Sequence, residues 1–339
     1  MTADQPARPL PAKARHLIQC IEAARRPLLV SHIRLDGDAL GSELGLFHIL
    51  RQRGAAPHVV NDGAIPRMYR FLPGADAVGL SPAALTGEYD LAVLLDTGEW
   101  ARAGAIRQAL PPDQRTVCID HHPPVKPPAD WQWAQPAYCA AGEMVYDMAR
   151  AAGWPITPEA ATCLYTAIMT DTGRFTFPNT TPSALRAAAD LMERGAQAVL
   201  AADCVYEDSP RGLVLLRAEV IRSARFYAGD RIAVMSANLE QFERFGVDPM
   251  DTQEMADYPR AIEGVRIGVL LREMKGNKVK VSLRSRAGVN VEPVARKCGG
   301  GGHPQACGIE MNGRIAEVEQ LVVTDLLSVA AEGESHGKR

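Results

Sequence analysis

The sequence predicts an α/β protein with an N-terminal parallel sheet and a smaller C-terminal α/β domain. Three observations predict this class. Short apolar runs recur in the first half of the chain without alternating with polar residues, which is typical of strands buried on both faces. Helical patterns separate these runs, as in βαβ units. From about residue 226 the pattern changes to short strands, a glycine run and a final helix.

The elements are predicted in chain order from apolar periodicity and turn residues. In the first half, strands are expected at 28–31, 59–60, 91–95 and 116–119, and helices at 39–53, 143–152, 158–169, 183–208 with a break at Gly195, and 211–225. In the second half, strands are expected at 231–235, 265–271 and 278–284, with a final helix near 315–331. The pair Gly276-Asn277 between the last two strands indicates a hairpin.

Length and composition are those of a folded two-domain protein. With 339 residues, 47% apolar and 23% charged, the chain can build two hydrophobic cores, and the composition argues against disorder. We expect five segments: a disordered lead at 1–14, a catalytic domain at 15–195, a helical linker at 196–225, a substrate-binding domain at 226–331 and a tail at 332–339.

Charge, hydropathy and cysteine usage exclude several classes of protein. A net charge of −3 rules out a generally basic nucleic-acid coat, although a local basic site remains open. No apolar run approaches the roughly 18 residues that cross a bilayer, and the N-terminus lacks the apolar core of a secretion signal. The seven cysteines are scattered and form no CxxC pair, so neither a disulfide framework nor a thiolate zinc site is expected. We therefore expect a cytoplasmic protein without a membrane partner.

Aspartate and histidine residues follow the predicted strands where each strand ends. They are His32, Asp36 and Asp38 after the first strand, Asp96 after the third, Asp120, His121 and His122 after the fourth, and Asp171 at the end of an apolar helix. Ligands of parallel α/β sheets bind at the carboxyl ends of the strands. We therefore expect these side chains to meet at one edge of the sheet.

Each of these residues also has an ordinary structural explanation. Asp38 could cap the following helix, Asp96 could sit in a turn, and a His-His pair at a strand end could be structural. Taken together, however, four or five crowded carboxylates would repel one another unless cations lay between them. Six donors exceed one catalytic zinc site, so two divalent ions are expected. Oxygen and imidazole donors without thiolate favour Mn²⁺ over Co²⁺, Mg²⁺ or Fe²⁺, and metal pairs serve phosphoester cleavage.

The C-terminal half carries a local excess of positive charge. Residues 260–300 contain ten Lys and Arg against three Glu, a net +7. The glycines at 299–302 would let backbone N–H groups converge on an anion, and Arg284 can grip a phosphate with two hydrogen bonds. A solvated basic hairpin is the alternative explanation.

Five motifs resemble those of a known family. HIRLDGD (32–38), LLD (94–96), DHH (120–122) and TDTGRF (170–175) resemble the four motifs of the DHH phosphoesterases. SLRS (282–285) with GGGGHPQACG (299–308) resembles the DHHA1 substrate domain of that family. The resemblance covers residues 15 to 330, and the two-domain size is most similar to the NrnA-type nanoRNases and pAp phosphatases.

The resemblance implies a role for each residue. His32 and Asp36 would hold the first metal, Asp38, His121 and Asp171 the second, and Asp96 would bridge both. His122 would face the scissile phosphate, Asp120 would orient a neighbouring histidine, and a hydroxide bridging the metals would attack phosphorus in line. Substrate would be bound by Arg284, Ser285, Gly300, Gly301, Gly302 and His303. The active site is expected in a cleft between the two domains.

The expected function is therefore that of a metal-dependent phosphohydrolase. It would cleave short RNA oligonucleotides to mononucleotides and dephosphorylate pAp. A linear or cyclic dinucleotide (c-di-AMP or pApA) phosphodiesterase is the alternative enzyme, and a nucleotide-binding sensor without turnover is the alternative outside enzymes. The expected partners are short RNA or small phosphorylated nucleotides rather than long duplexes, and a homodimer remains open.

Overall fold

The computed structural model describes residues 8–123, 129–286 and 288–332. Most of the predicted tail and residues 1–7 of the predicted lead therefore lie outside the described residues. The chain divides into two compact units, Met1–Asp208 and Ser209–Arg339. The division falls inside the segment that the sequence predicts as a linker, 196–225.

The described part of the first unit contains a five-stranded parallel sheet in the order β2-β1-β3-β4-β5. The strands are β1 (Pro27–Val30), β2 (His58–Val59), β3 (Leu91–Leu95), β4 (Thr116–Asp120) and β5 (Trp131–Ala134). Every residue of β1, β3 and β4 is buried, which explains their unbroken apolar runs. The predicted parallel sheet is confirmed. Strand β5 is not predicted from the sequence, because it is an edge strand with partly exposed side chains and no apolar run.

Helices cover both faces of this sheet. They are α1 (Ala12–Ala23), α2 (Gly37–Gln52), α3 (Ile106–Ala109), α4 (Ala141–Ala152), α5 (Pro158–Asp171), α6 (Pro182–Glu193) and α7 (Ala198–Ala202), with a π-helical turn at Asp203–Glu207. Short 3₁₀ segments lie at Arg67–Tyr69, Ala75–Ala77, Pro82–Ala84 and Trp100–Ala103. Residues 12–14 of the predicted lead are helical, because Ala14, Leu17 and Ile21 pack α1 into the core. A left-handed Gly195 (φ 98°) follows α6, at the predicted break.

Helices α2 and α5 pack closely because one face of α2 carries glycine. Gly37, Gly41 and Gly45 are spaced by four residues and therefore share a face. A Cβ atom would lie 2.6 Å from the Cys163 carbonyl oxygen at Gly41, and 2.3 Å from Thr170 at Gly37. This close approach brings the N-terminus of α2 beside the C-terminus of α5.

The second unit is built on a mixed sheet of six strands among its described residues, in the order β10-β11-β9-β8-β7-β6. The strands are β6 (Arg225–Tyr227), β7 (Ile232–Ala237), β8 (Ile267–Met274), β9 (Lys278–Ser285), β10 (Gly301–His303) and β11 (Ala306–Asn312). The helices are α8 (Arg211–Arg222), α9 (Leu239–Phe245), α10 (Tyr258–Ala261), α11 (Glu292–Lys297) and α12 (Ile315–Glu332), with a 3₁₀ segment at Pro249–Asp257. Gly276 (φ 81°) and Asn277 (φ 56°) form the predicted hairpin turn. None of the described helices has the length and apolar character needed to span a membrane.

Candidate metal centre

The carboxyl ends of three neighbouring strands present the candidate ligands. His32 lies two residues beyond β1, Asp96 directly follows β3, and His121 and His122 follow Asp120, the last residue of β4. These strands run parallel and are hydrogen-bonded in the order β1-β3-β4. The side chains therefore gather at one edge of the sheet, as predicted from the residues that follow each strand.

Two aspartates at the start of α2 have different roles. Asp36 is the N-cap, and its Oδ1 accepts a hydrogen bond from the Ala39 amide at 2.9 Å. Asp38 lies in the first turn and is 2% exposed. Its two oxygens accept from the amides of Ala141 (2.7 Å) and Gly142 (2.9 Å), in the first turn of α4. Asp38 therefore does not cap the helix that contains it, but binds the N-terminus of another.

Asp171 is the last residue of α5. A carboxylate at a helix C-terminus gains nothing from the helix dipole, so its position is not explained by helix stability. The side-chain amide of Asn179 donates from Nδ2 to the Asp171 carbonyl oxygen at 3.0 Å and to Asp171 Oδ2 at 3.4 Å. Burial raises the pKa of Asp171 to about 7. Asn179 is not predicted from the sequence, because no strand end or motif marks it.

The donor atoms form three groups, in each of which they lie within 4.8 Å of one another. The groups are His32, Asp36 and Asp96; Asp38, His121 and Asp171; and Asp96, His121 and His122. All six residues predicted as metal ligands are therefore brought together. Asp96 and His121 each belong to two groups, and His122 joins the third.

Two imidazoles face different oxygens of Asp96. His32 Nε2 lies 3.3 Å from Asp96 Oδ2 and 3.5 Å from Asp36 Oδ2. His121 Nε2 lies 3.4 Å from Asp96 Oδ1, and it also lies 3.6 Å from Asp38 Oδ2 and 3.7 Å from Asp171 Oδ2. Asp96 thus lies between His32 of the first donor group and His121 of the second.

Asp96 itself is strained and incompletely hydrogen-bonded. Its φ of 52° is in the left-handed region, which costs a non-glycine residue on the order of 1–3 kcal/mol. Its Oδ1 is buried and makes no hydrogen bond with a described residue. A buried carboxylate oxygen that lies beside ring nitrogens but lacks a hydrogen bond is a suitable cation ligand, so the residues fit a metal site.

The electrostatics of the cluster lead to the same conclusion. Burial alone would lower the pKa of His32, but the charges of Asp36 and Asp96 outweigh it and raise the pKa to about 10. The pKa of His121 is likewise raised despite its burial, by Asp96, Asp171 and Asp38. Burial raises the pKa of Asp38 well above its usual value. Carboxylates this crowded need positive charge, which either protons or divalent cations can supply.

His122 is held by a carboxylate that belongs to none of the three groups. Its Nδ1 lies 2.8 Å from Asp120 Oδ1, and its backbone amide donates to the same oxygen at 3.0 Å. Asp120 is almost fully buried, whereas the His122 side chain is 26% exposed. Burial alone would lower the pKa of His122, but the hydrogen bond to Asp120 and the negative charge of Asp96 raise it to about 9. Asp120 thus fixes the orientation of the ring.

The predicted substrate-binding residues lie in the second unit, around the end of β9. Arg284 Nη1 donates to the Leu283 carbonyl at 3.0 Å, and its Nε lies 3.7 Å from Asp257 Oδ1. Ser285 is buried, and its hydroxyl donates to the Val289 carbonyl at 2.6 Å. The Ser285 hydroxyl therefore stabilises the turn after β9, and its role in substrate binding stays a prediction.

The glycine run is only partly a loop. Gly299 (φ 76°) is left-handed, but Gly301–His303 forms the edge strand β10, paired with β11. The sequence predicts that the N–H groups of this run converge on one anion. Successive N–H groups of an extended strand point in opposite directions, so those of β10 do not all converge. The glycines have a packing reason as well, because a Cβ at Gly300 would lie 2.3 Å from the Gly308 carbonyl oxygen.

Comparison with known families agrees with this geometry. The model of the DHH family N-terminal domain matches residues 27–168, and the model of the DHHA1 domain matches residues 229–331. The chain belongs to the DHH family. The resemblance seen in the sequence motifs is confirmed, and with it the assignment of the chain as a phosphoesterase.

Curated relatives and solved structures cover nearly the whole DHH-family chain. The bifunctional oligoribonuclease and PAP phosphatase NrnA of Thermus thermophilus is 33% identical, with 89% of each chain covered. The NrnA of Bacillus subtilis is 29% identical, covering 86% of this chain and 91% of its own. The crystal structure of an exopolyphosphatase-related protein from Bacteroides fragilis is 26% identical with a TM-score of 0.88, covering 94% of this chain and 98% of that one.

Proposed function

We propose that this protein is a metal-dependent hydrolase that degrades short RNA oligonucleotides to mononucleotides and dephosphorylates pAp. The observation that carries the proposal is the convergence of three donor groups on Asp96 and His121 at one sheet edge. The substrate class is supported by relatives named as oligoribonucleases and PAP phosphatases, which match the chain over both domains.

We assign the metal ligands as two sets that share Asp96. The first set is His32, Asp36 and Asp96, and the second is Asp38, His121, Asp171 and Asp96. When bound by these residues, two divalent cations would stabilise charge on phosphoryl oxygens and would lower the pKa of water, which supplies a nucleophile near neutral pH. The donors are oxygen-rich and lack thiolate, which favours Mn²⁺, with Mg²⁺ or Co²⁺ as substitutes.

His122 acts on the scissile phosphate. Because Asp120 holds its Nδ1, the imidazole presents Nε2 to a substrate. A protonated ring at that position stabilises the negative charge of the phosphoryl group and can deliver a proton to the leaving oxygen. Asp120 orients His122 and is itself too buried to contact substrate.

The second domain recognises the rest of the substrate. Arg284 and His303 are assigned to phosphate or nucleotide groups that do not react, with Gly300, Gly301 and Gly302 allowing the ligand to approach the backbone. The local charge of +7 at residues 260–300 supports an anionic ligand.

A panel of substrates tests the proposal. The purified protein with Mn²⁺ is incubated with pAp, with labelled RNAs of two to seven residues, and with cyclic dinucleotides, and the products are separated by chromatography. Release of mononucleotides from short RNA and of phosphate from pAp is expected. Turnover confined to cyclic dinucleotides would replace the proposed substrate, and binding without any turnover, even of bis-p-nitrophenyl phosphate, would indicate a sensor. The Asp96→Ala variant is the matched control for contaminating nucleases.

A further inference from the structure

We propose that Glu43 and Asn61 are positioning residues of the metal centre, an inference that rests on the function proposed above. They hold the ends of the two strands from which His32 and Asp96 project. Neither belongs to a donor group, and neither was predicted from the sequence as a site residue. The inference comes from a buried hydrogen-bonded path between α2 and the ends of β2, β1 and β3.

The path begins where the pairing of β1 stops. Ser31 is the first residue after β1, and its amide donates to Asn61 Oδ1 at 2.8 Å on the β2 side. Its hydroxyl donates to the Leu95 carbonyl at 2.7 Å on the β3 side. Side chains thus continue the strand pairing by one residue on both flanks of β1. The next residues along β1 and β3 are His32 and Asp96.

Glu43 sets the orientation of Asn61. Its Oε2, on α2, accepts from Asn61 Nδ2 at 2.8 Å, which leaves the amide oxygen of Asn61 directed at Ser31. Glu43 and Asn61 are fully buried, and Ser31 is 1% exposed. Burial raises the pKa of Glu43 to about 8. Glutamine at this position keeps the shape of the side chain and the oxygen that accepts from Asn61.

The strained backbone of Asp96 explains why such support is needed. A left-handed aspartate persists only where its surroundings hold it in place. The bond from Ser31 restrains the carbonyl of Leu95, the residue before Asp96. Without it, Asp96 can relax to an extended backbone and withdraw from His32, whose Nε2 is now 3.3 Å from its Oδ2. The metal sites would then lose their shared ligand.

The test is the affinity of the full chain for Mn²⁺, measured by isothermal titration calorimetry. Partners of metal ligands typically contribute about 10- to 100-fold to metal affinity, and we expect losses of that size for Glu43→Met and Asn61→Leu. Glu43→Gln keeps the acceptor for Asn61 and should bind Mn²⁺ with near-wild-type affinity. Ser31→Ala, which removes only the hydroxyl link, is the milder variant if the larger substitutions fail to fold, and it should weaken binding about tenfold.

Leu50→Ala is the matched control, because Leu50 is a buried core residue of the same helix. It should lower the melting temperature without changing Mn²⁺ affinity. Wild-type affinity in Glu43→Met, Asn61→Leu and Ser31→Ala would overturn the positioning role and leave the metal centre standing. An equal loss in Leu50→Ala would assign the effect to general stability and overturn it too. If the wild-type chain bound no Mn²⁺, that result would contradict the proposed metal-dependent function itself, and the positioning role would fall with it.

Discussion

Replacing Asp96 by alanine should damage the protein more than replacing any ligand that serves one metal. Asp96 belongs to two of the donor groups found among the described residues, whereas His32 belongs to one. Loss of a residue that merely supports a ligand costs about 10- to 100-fold in metal affinity or activity. If each of two ions loses at least that much, activity should fall about 10²- to 10⁴-fold, or roughly 3–5 kcal/mol of transition-state stabilisation. His32→Ala should lose about 10- to 100-fold.

The assay combines metal content after dialysis, by mass spectrometry, with steady-state hydrolysis of bis-p-nitrophenyl phosphate. Asp90→Ala is the matched control, because Asp90 stands at the opposite end of β3 and accepts hydrogen bonds from the amides of Arg25 and Arg26. It should keep the wild-type metal content and activity. Two tightly bound ions in Asp96→Ala would refute the shared-ligand assignment, and so would an equal loss in Asp90→Ala.

Three further predictions concern metal identity, the division of labour and packing. Chelation should inactivate the enzyme reversibly, with Mn²⁺ restoring activity better than Zn²⁺ because the donors lack thiolate; full activity in protein shown to be metal-free would exclude metal catalysis. Arg284→Ala and His303→Ala should each weaken hydrolysis of nucleotide substrates about tenfold to more than a hundredfold, because a hydrogen bond to a charged group contributes about 1.5–3 kcal/mol. Both variants should keep the wild-type rate of bis-p-nitrophenyl phosphate hydrolysis. His122→Ala should impair both substrates in the same kinetic assay, and an equal pattern in all three variants would contradict the assignment. Gly41→Ala should destabilise the protein by about 1–3 kcal/mol in chemical denaturation, because its Cβ would overlap the Cys163 carbonyl, whereas the exposed Arg51→Ala should be nearly neutral.

Strand ends could be predicted from the sequence because the relevant signal is local. Each buried strand is an unbroken apolar run, and the polar residue after it marks the edge of a parallel sheet. The residues that follow the buried strands therefore predict His32, Asp96 and His121 as members of the site. The same rule, applied to the apolar pair Val59 and Val60, also marks Asn61 as the polar residue after a buried strand.

What could not be predicted depends on partners distant in sequence or on elements without side-chain patterns. Asp38 binds amides of Ala141 and Gly142, over a hundred residues away, so no local pattern shows that Asp36, rather than Asp38, caps α2. The edge strand β5 has partly exposed side chains and lacks an apolar run. β10 is largely glycine, which has no side chain to alternate, and its pairing depends entirely on β11.

The sheet edge supplies only part of the proposed metal centre, and the placement of the remaining candidate ligands depends on how closely helices pack. Asp38 comes from the N-terminus of α2 and Asp171 from the C-terminus of α5. Their approach requires residues without a Cβ: Gly37 lies against Thr170, and a Cβ at Gly142 would lie 2.4 Å from Ala167 and 3.4 Å from Asp38 Oδ1. Larger side chains there would push the helices apart and move both carboxylates away from His121. We therefore expect these glycines, which resemble ordinary packing residues, to be required for the geometry of the proposed metal centre.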